Sequence, residues 1–363
     1  MEMEKNRVRD FFDLKEVEIF DAMDDLVRIS DFQGNILFEN KSFRDLCVKD
    51  GKSLSTSLFF PLTASQDAIE SGHTEVTEVC IMGHVFSVKT SPILREGKKT
   101  QAAIEVFRDT TVQNNLTISL YGANQKIKQE MLLAKSIQTN MLPTLKQYNN
   151  LSFDSRYVPS EELSGDFYDL IPLSQNRIAI YISDVVGHGV SASILTMFVR
   201  QTMRSILKEE KIFMPKEVLG TLKERFDEIN LEEQYFSLFY GVFDLTNLVF
   251  TYGNAGHNCE PILKRKDAIT YLEATGMLIS SDLEYKEYDQ KSIQLESKDQ
   301  ILFFTDGLIE TQNLEETPYG MNQLVYLLLY SEDNLLDRIL EDVEYYRLGE
   351  QKDDIALLLV EVD

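Results

Sequence analysis

Residues 182–193 read ISDVVGHGVSAS: an apolar run halts at Asp184, crosses Gly187-His188-Gly189, and restarts in small residues that suit a helix. Aspartate has low strand propensity, so a carboxylate ending a strand-like run needs a physical reason. The arrangement recurs at SGDFYDL around Asp166, at FFTDGLIE around Asp306, and at KDDIALLLV with Asp353 and Asp354. Burying several carboxylates near one another costs several kcal/mol per ion, before repulsion between them is counted. Hard divalent cations remove that cost, because carboxylate oxygens, a backbone carbonyl and waters are the ligands Mg²⁺ and Mn²⁺ prefer. One Asp-Gly alone reads equally as a turn. Four such motifs in one segment point to a carboxylate metal site in a mixed α and β domain.

Working outward, the segment from Leu151 to the end carries apolar runs that read as buried strands: RIAIYISD, FSLFYGVFDL, LVFTYGNAGH, QILFFTDG and IALLLVEV. Helical stretches near 191–208, 215–230, 320–330 and 333–347 are interleaved with them. Residues 24–108 instead show short alternating segments, LVRIS, NILFEN, TEVTEV, HVFSVKTSPIL and QAAIEVFRD, separated by turn residues at QGN, KDG, MGH and REGK. This pattern predicts a small antiparallel sheet with one or two helices. Between them, residues 112–142 are rich in helix formers. Leu116, Leu120, Ala123, Ile127, Ala134, Ile137 and Met141 form a seam with Glu130 as its polar interruption, which predicts a long helix able to pair.

The 363 residues carry 60 acidic and 36 basic side chains, a formal charge of −24. Such a surplus repels phosphate backbones and anionic lipid, so nucleic acid and membrane are excluded as expected partners. Three cysteines, Cys47, Cys80 and Cys259, show no metal-like spacing and fit a reducing compartment. The charged N-terminus lacks the apolar core of a signal or a span, so a soluble, cytoplasmic protein is expected.

The ordered motifs SGDFYDL, ISDVVGHGVSAS, YGNAGHN, FFTDGLIE and KDDIALLLV resemble the PPM-type metal-dependent serine/threonine phosphatases, in particular their SpoIIE-like bacterial branch from partner-switching pathways. The resemblance implies an α+β fold whose C-terminal part is an αββα sandwich, two facing antiparallel sheets flanked by helices. It implies Asp166, Asp184, Asp306 and Asp353 as catalytic and metal-coordinating residues, with the Val185 carbonyl as a main-chain ligand and Asp354 as an adjoining one. Two Mn²⁺ or Mg²⁺ ions would share a water and present it as hydroxide to a phosphoserine or phosphothreonine. His188 and His257 are candidates to protonate the leaving oxygen, and Asn254, His257 and Asp169 are expected to shape the site. Arg156 and Arg177, the basic residues nearest the first motif, lie outside it. Two departures from the family pattern are Ala356, where threonine or serine is usual, and GMLIS at 276–280, expected to be a surface loop.

Residues 16–111 resemble a PAS domain through DFQGNI (Asp31–Ile36), then Asn40, Phe43 and Leu46 in ENKSFRDL, and RDTTVQ. Cys47, Cys80, His73 and His84 are the residues there that could ligate haem or attach flavin. LLAKSIQTNMLP resembles the helix preceding the catalytic domain in the stress-response branch. The resulting division is a PAS-like sensor at 1–111, a linker helix and dimerising coiled coil at 112–145, and a phosphatase domain at 146–363. The expected protein is a homodimeric phosphatase, switched through the linker by a protein or small-molecule signal and acting on a phosphorylated anti-anti-sigma-like protein. A catalytically inactive scaffold that binds a phosphoprotein or regulator is the alternative.

Overall fold

The computed structural model describes residues 14–48, 63–81, 83–93, 102–187, 189–284, 287–331, 334–347 and 349–363. Packing divides the chain into two compact units, Met1–Lys126 and Ile127–Asp363.

In the first unit, strands β1 (Leu26–Asp31), β2 (Ile36–Glu39), β3 (Glu75–Ile81), β4 (His84–Pro92) and β5 (Ala102–Asp109) form an antiparallel sheet in the order β2-β1-β5-β4-β3. Helices α1 (Leu14–Asp21), α2 (Lys41–Val48) and α3 (Thr63–Ser71) accompany it. The β1–β2 turn is set by Asp31, whose carboxylate accepts from the Asn35 backbone and side-chain amides, both at 2.8 Å. Asn40 joins strand to helix: its Oδ1 accepts from Val27 and Phe43 N–H at 3.0 Å each, and its Nδ2 donates to the Phe20 and Asp25 carbonyls. Leu26, Phe43, Phe86, Val88 and Phe107 build the interior. The KDG and REGK turns and Met82 fall outside the described residues.

Helix α4, Thr111–Met141, contains the boundary between the units. Its buried residue is Gln138, whereas Leu116, Leu120, Ile127, Leu133 and Ile137 stay exposed along its length.

The second unit holds two antiparallel sheets. One runs β15-β11-β10-β9-β8, comprising Lys291–Gln294, Val249–Ala255, Tyr235–Asp244, Arg177–Val185 and Phe167–Ser174, with β14 (Ile279–Ser280) pairing β10. The other runs β13-β12-β16-β17-β7-β6, comprising Ala268–Tyr271, Ile262–Arg265, Gln300–Phe304, Ile355–Val362, Leu151–Val158 and Gln147–Tyr148. A core rich in aromatic side chains lies between them: Phe239, Phe243 and Phe250 from the first sheet meet Phe303, Leu358 and Val360 from the second. Burying each such ring contributes roughly 1.5–3 kcal/mol. Helices α5 (Gly189–Ser205) and α6 (Pro215–Ile229) pack on the outer face of the first sheet, where Val199, Met203, Leu219 and Phe226 join Tyr181 and Tyr240. Helices α7 (Gly320–Tyr330) and α8 (Leu335–Tyr346) cover the second through Leu324, Leu328, Leu336 and Ile339. The layers are therefore helix, sheet, sheet, helix.

Residues 276–280 do not form a surface loop. Ile279 is buried and pairs with Phe236 on β10, while a β-carbon at Gly276 would overlap the Asn254 carbonyl. The segment is a packed crossing over the YGNAGH turn, and its apolar Leu278 and Ile279 drive it inward. Among the described residues, no helix is long and apolar enough to cross a membrane.

Candidate functional site

The register of β9 explains why Asp184 ends an apolar run. Strand β9 is central, paired on one side with β10, where Asp184 faces Ser237, and on the other with β8, where Ser183 faces Phe167. Asp166 immediately precedes β8, so both carboxylates emerge at the same end of the sheet. Asp306 follows β16 and Asp353 and Asp354 precede β17, and these two strands are neighbours in the facing sheet. The topology gathers the end of one sheet and the end of the other.

The electrostatics report the same convergence. Asp166 is buried, and its carboxyl is pushed well above the usual range by loss of solvent and then by the charge of Asp184, with Asp354 and Asp306 adding to it; the Thr305 hydroxyl opposes the shift. Asp184 is raised to about 7, by burial first and then by Asp306, Asp353 and Asp354. Asp166 Oδ2 is buried without a hydrogen-bond partner. Among the described residues, no three acidic, His or Cys side chains close into a ready metal-holding group; the carboxylates act on one another at longer range, as like charges do. An unpartnered buried oxygen among mutually repelling carboxylates is the chemistry of a cation site, and the donor set fits hard divalent ions.

Neighbouring residues hold these groups in place. Gly165 is required by close approach: a β-carbon there would stand 2.7 Å from the Val185 carbonyl and 3.0 Å from that of Gly187. Asp354 is a clamp. Its Oδ1 accepts from the Ser160 N–H at 2.6 Å and hydroxyl at 2.8 Å, and its Oδ2 accepts from the Gly165 N–H at 2.9 Å. Asp353 Oδ1 accepts from the Asp354 N–H at 2.8 Å. The Asn258 amide donates to Asp306 Oδ2 at 3.0 Å. Thr305 is fully buried, and its hydroxyl accepts from the Ala356 N–H at 2.9 Å, so Ala356 serves through its backbone.

Several expected contributors lie elsewhere or act differently. Asp169 points to the helix side of β8, where Arg204 binds both its oxygens, Nε to Oδ2 at 2.8 Å and Nη2 to Oδ1 at 3.0 Å. His257 is not placed as a proton donor. It is buried, its Nδ1 lies 2.9 Å from the Ser237 hydroxyl and its Nε2 3.2 Å from the Phe304 carbonyl, and burial lowers its pKa to about 4. A carbonyl can only accept, so Nε2 carries the proton and Nδ1 accepts from Ser237. Asn254 cross-braces that turn, donating to the His257 carbonyl at 2.8 Å and accepting from its N–H at 2.7 Å. His188 lies outside the described residues. Arg156 is held by Asp337 and Asp154, and Arg177 by Asp244. In the first unit, His73, His84 and Cys80 are exposed, and His84 Nδ1 meets Asp109 at 2.9 Å, so these three do not form an interior cofactor site. The Cys47 side chain is outside the described residues.

Sequence reasoning missed Ser160, Asn258, Thr305 and Gln138. Asn258 ends the YGNAGHN motif and was in view. Gln138 follows the apolar Ile137 on the long helix, and its buried amide donates to the Ser164 carbonyl at 2.7 Å and accepts from the Ser164 N–H at 3.2 Å.

Phosphoserine phosphatase RsbU of Bacillus subtilis is 34% identical over 197 residues, covering 53% of this chain and 57% of that protein. Phosphoserine phosphatase RsbP of the same organism is 30% identical over 247 residues, covering 65% of this chain and 58% of that protein. The chain thus spans somewhat over half the length of these relatives. The SiaA-PP2C domain of Pseudomonas aeruginosa superposes with a TM-score of 0.59 at 18% identity, covering 66% of this chain and 99% of that one, a likeness of fold. The family model for stage II sporulation protein E matches residues 174–363, a span that includes Asp184, Asp306, Asp353 and Asp354. Since that match takes in more than half of the sequence, the chain belongs to the stage II sporulation protein E (SpoIIE) family.

Proposed function

We propose that this protein is a metal-dependent phosphatase that hydrolyses phosphoserine or phosphothreonine on a partner protein. The observation carrying this reading is the buried Asp166, with its unpartnered Oδ2, set against Asp184 and shifted by further carboxylates. Asp166, Asp184, Asp306, Asp353 and the Val185 carbonyl would hold two Mn²⁺ or Mg²⁺ ions, with Asp354 adjoining them as the clamp. Such ions, when bound, supply a water activated for attack on phosphorus. The chain's own residues orient that centre. Asn258 fixes the Asp306 carboxylate, Gly165 admits the Val185 carbonyl, and Thr305 and Asp354 lock the two sheet ends together. The names of the two Bacillus relatives support phosphoserine as the substrate group, and an anti-anti-sigma-like phosphoprotein is the partner the family resemblance implies.

Control runs, in this reading, from a PAS-like sensor at 1–111 through a helix at 112–145 to a catalytic domain at 146–363. The β2-β1-β5-β4-β3 order and the Asn40 network support the sensor. The exposed apolar residues along α4 support pairing with a second copy, and Gln138 supports a link from that helix to the SGD motif.

The test is hydrolysis of a generic phosphate ester and of a phosphoserine protein with Mn²⁺, with and without chelator, by the native chain and by Asp184→Asn and Asp306→Asn. Turnover that requires metal and disappears in both variants is expected. Tight phosphoprotein binding without turnover under any metal condition would instead make the protein a scaffold.

A further inference from the structure

Asp169 is fully buried; Arg204 donates to both of its oxygens, and the Leu170 N–H donates to Oδ1 at 2.9 Å. A second guanidinium is nevertheless directed at the same carboxylate: Arg200 Nε stands 3.9 Å from Asp169 Oδ2, beyond hydrogen-bond reach, and is buried with no partner. One carboxylate between two arginines leaves a positive charge over. That surplus is conspicuous in a chain of net charge −24. A buried donor left unmade costs about 1–3 kcal/mol, and Arg204 with the Leu170 N–H already satisfies Asp169, so Arg200 faces that carboxylate as an ion pair without a hydrogen bond at Nε.

Both arginines line a groove of 440 Å³ between α5, the edge strand β8 and the segment 140–146, which takes in the end of the long helix and the residues after it. Leu142, Leu170 and Pro172 give it an apolar wall, and Lys146 adds a cation at its rim, 3.6 Å from Asp154, a carboxylate that Arg156 already engages at 2.7 Å. The volume is that of a small-molecule site. Arg200 is partly exposed, and a guanidinium fork matches a carboxylate or phosphate. We propose that this groove binds a small amphipathic organic anion, with its carboxylate or phosphate on Arg200 and its apolar body along Leu142, Leu170 and Pro172. The groove runs along the edge of β8, whereas Asp166 belongs to the carboxylate cluster at the sheet end, so the site is separate from the proposed catalytic centre. One of its walls begins two residues after Gln138, so an occupant would brace the end of the helix that holds the SGD motif.

The test uses the full chain in chelator, so that the acidic centre draws no anion through bound metal, and calorimetric titration with hexanoate, hexyl phosphate and hexanol. At least one of the two anions is expected to bind about tenfold or more tightly than hexanol, and Arg200→Gln to weaken that binding about tenfold while Mn²⁺-dependent turnover is unchanged. Which anion binds assigns the head group as carboxylate or phosphate. Lys146→Gln, on an exposed side chain, provides a second variant should Arg200→Gln fold poorly, and a severalfold weakening is expected there. Failure of both anions to bind at about 10 mM, or binding unchanged in both variants, would overturn the proposal.

Discussion

Gln138 and Ser164 are bonded twice, amide to carbonyl and N–H to amide oxygen, across 26 positions of chain. Ser164 opens the SGD motif, two residues before the buried Asp166, and Gln138 is the buried residue of a helix whose apolar neighbours are mostly exposed. Replacing it by leucine keeps the bulk and strips both bonds, leaving two buried backbone groups unsatisfied at about 1–3 kcal/mol each. If the helix sets the motif, Gln138→Leu raises the Mn²⁺ concentration for half-maximal turnover by about tenfold or more. A metal titration of turnover checks this, and unchanged metal dependence would separate the helix from the site.

The carboxylate cluster predicts opposite effects on stability and activity. Asp184 is held at about 7 by burial and by Asp306, Asp353 and Asp354, so its charge is disfavoured in the fold without a cation. Asp184→Asn removes one repelling charge with little change of shape. In chelator the variant should be more stable by about 1 kcal/mol, a rise of about 2–4 °C in melting midpoint. Its Mn²⁺-dependent turnover should fall by at least about 10³-fold. Differential scanning calorimetry with and without metal checks the sign, and a native chain more stable than the variant in chelator would contradict the repulsion argument.

Most of the layered fold was legible in the sequence because its central strands are continuous apolar runs. RIAIYISD, FSLFYGVFDL and IALLLVEV are sandwiched on both faces, so their hydrophobicity is unbroken and their ends stand out. Strand β7, LSFDSRYV, was harder to see: beyond Leu151 and Phe153 it is only half-buried, and Arg156 makes an ion pair with Asp337 on a helix 181 positions away. The acidic residues could be found because an aspartate beside such a run is locally anomalous. Their supports could not, because Ser160, Thr305, Asn258 and Gln138 are ordinary polar residues whose purpose appears only with their distant partners. The reading of Asp169 as part of the site failed for a periodicity reason. Its alternation along β8 with Phe167 and Ile171 sends it to the helix face, where Arg204 waits.

The loop before β8 depends on Asp354, so the two members of the Asp353-Asp354 pair should respond differently. Asp354→Ala leaves the Ser160 and Gly165 N–H groups without acceptors, and should destabilise the fold by about 2–4 kcal/mol whether or not metal is present. Asp353→Ala removes an exposed carboxylate and should cost less than about 1 kcal/mol in chelator while abolishing metal-dependent stabilisation. Gly165→Ala should resemble Asp354→Ala, since its methyl would press on the Val185 and Gly187 carbonyls, with a cost of about 1–3 kcal/mol. Urea unfolding of the three variants with and without Mn²⁺ checks the pattern. Equal metal dependence in Asp353→Ala and the native chain would remove Asp353 from the ligand set.

His257 makes stability depend on pH in a defined direction. Burial lowers its pKa to about 4, against the opposing hydrogen bond to the Phe304 carbonyl and the charge of Asp306. In the unfolded chain an imidazole titrates near 6.5, so between about 6.5 and about 4 the unfolded state takes up a proton that the fold refuses. Stability from this group is therefore complete above about 6.5 and is lost as pH falls toward about 4. The raised carboxyls of Asp166 and Asp184 act with the opposite sign over part of that range, so a difference between two chains is needed to isolate the histidine. His257→Asn cannot titrate. The stability advantage of the native chain over this variant should shrink by about 2–3 kcal/mol between about pH 7 and about pH 4.5. Urea unfolding across that range measures it. A constant difference would mean that His257 is protonated in the folded protein, with Nε2 still donating to the Phe304 carbonyl and the Ser237 hydroxyl turned to accept from Nδ1, and would restore it as a candidate acid.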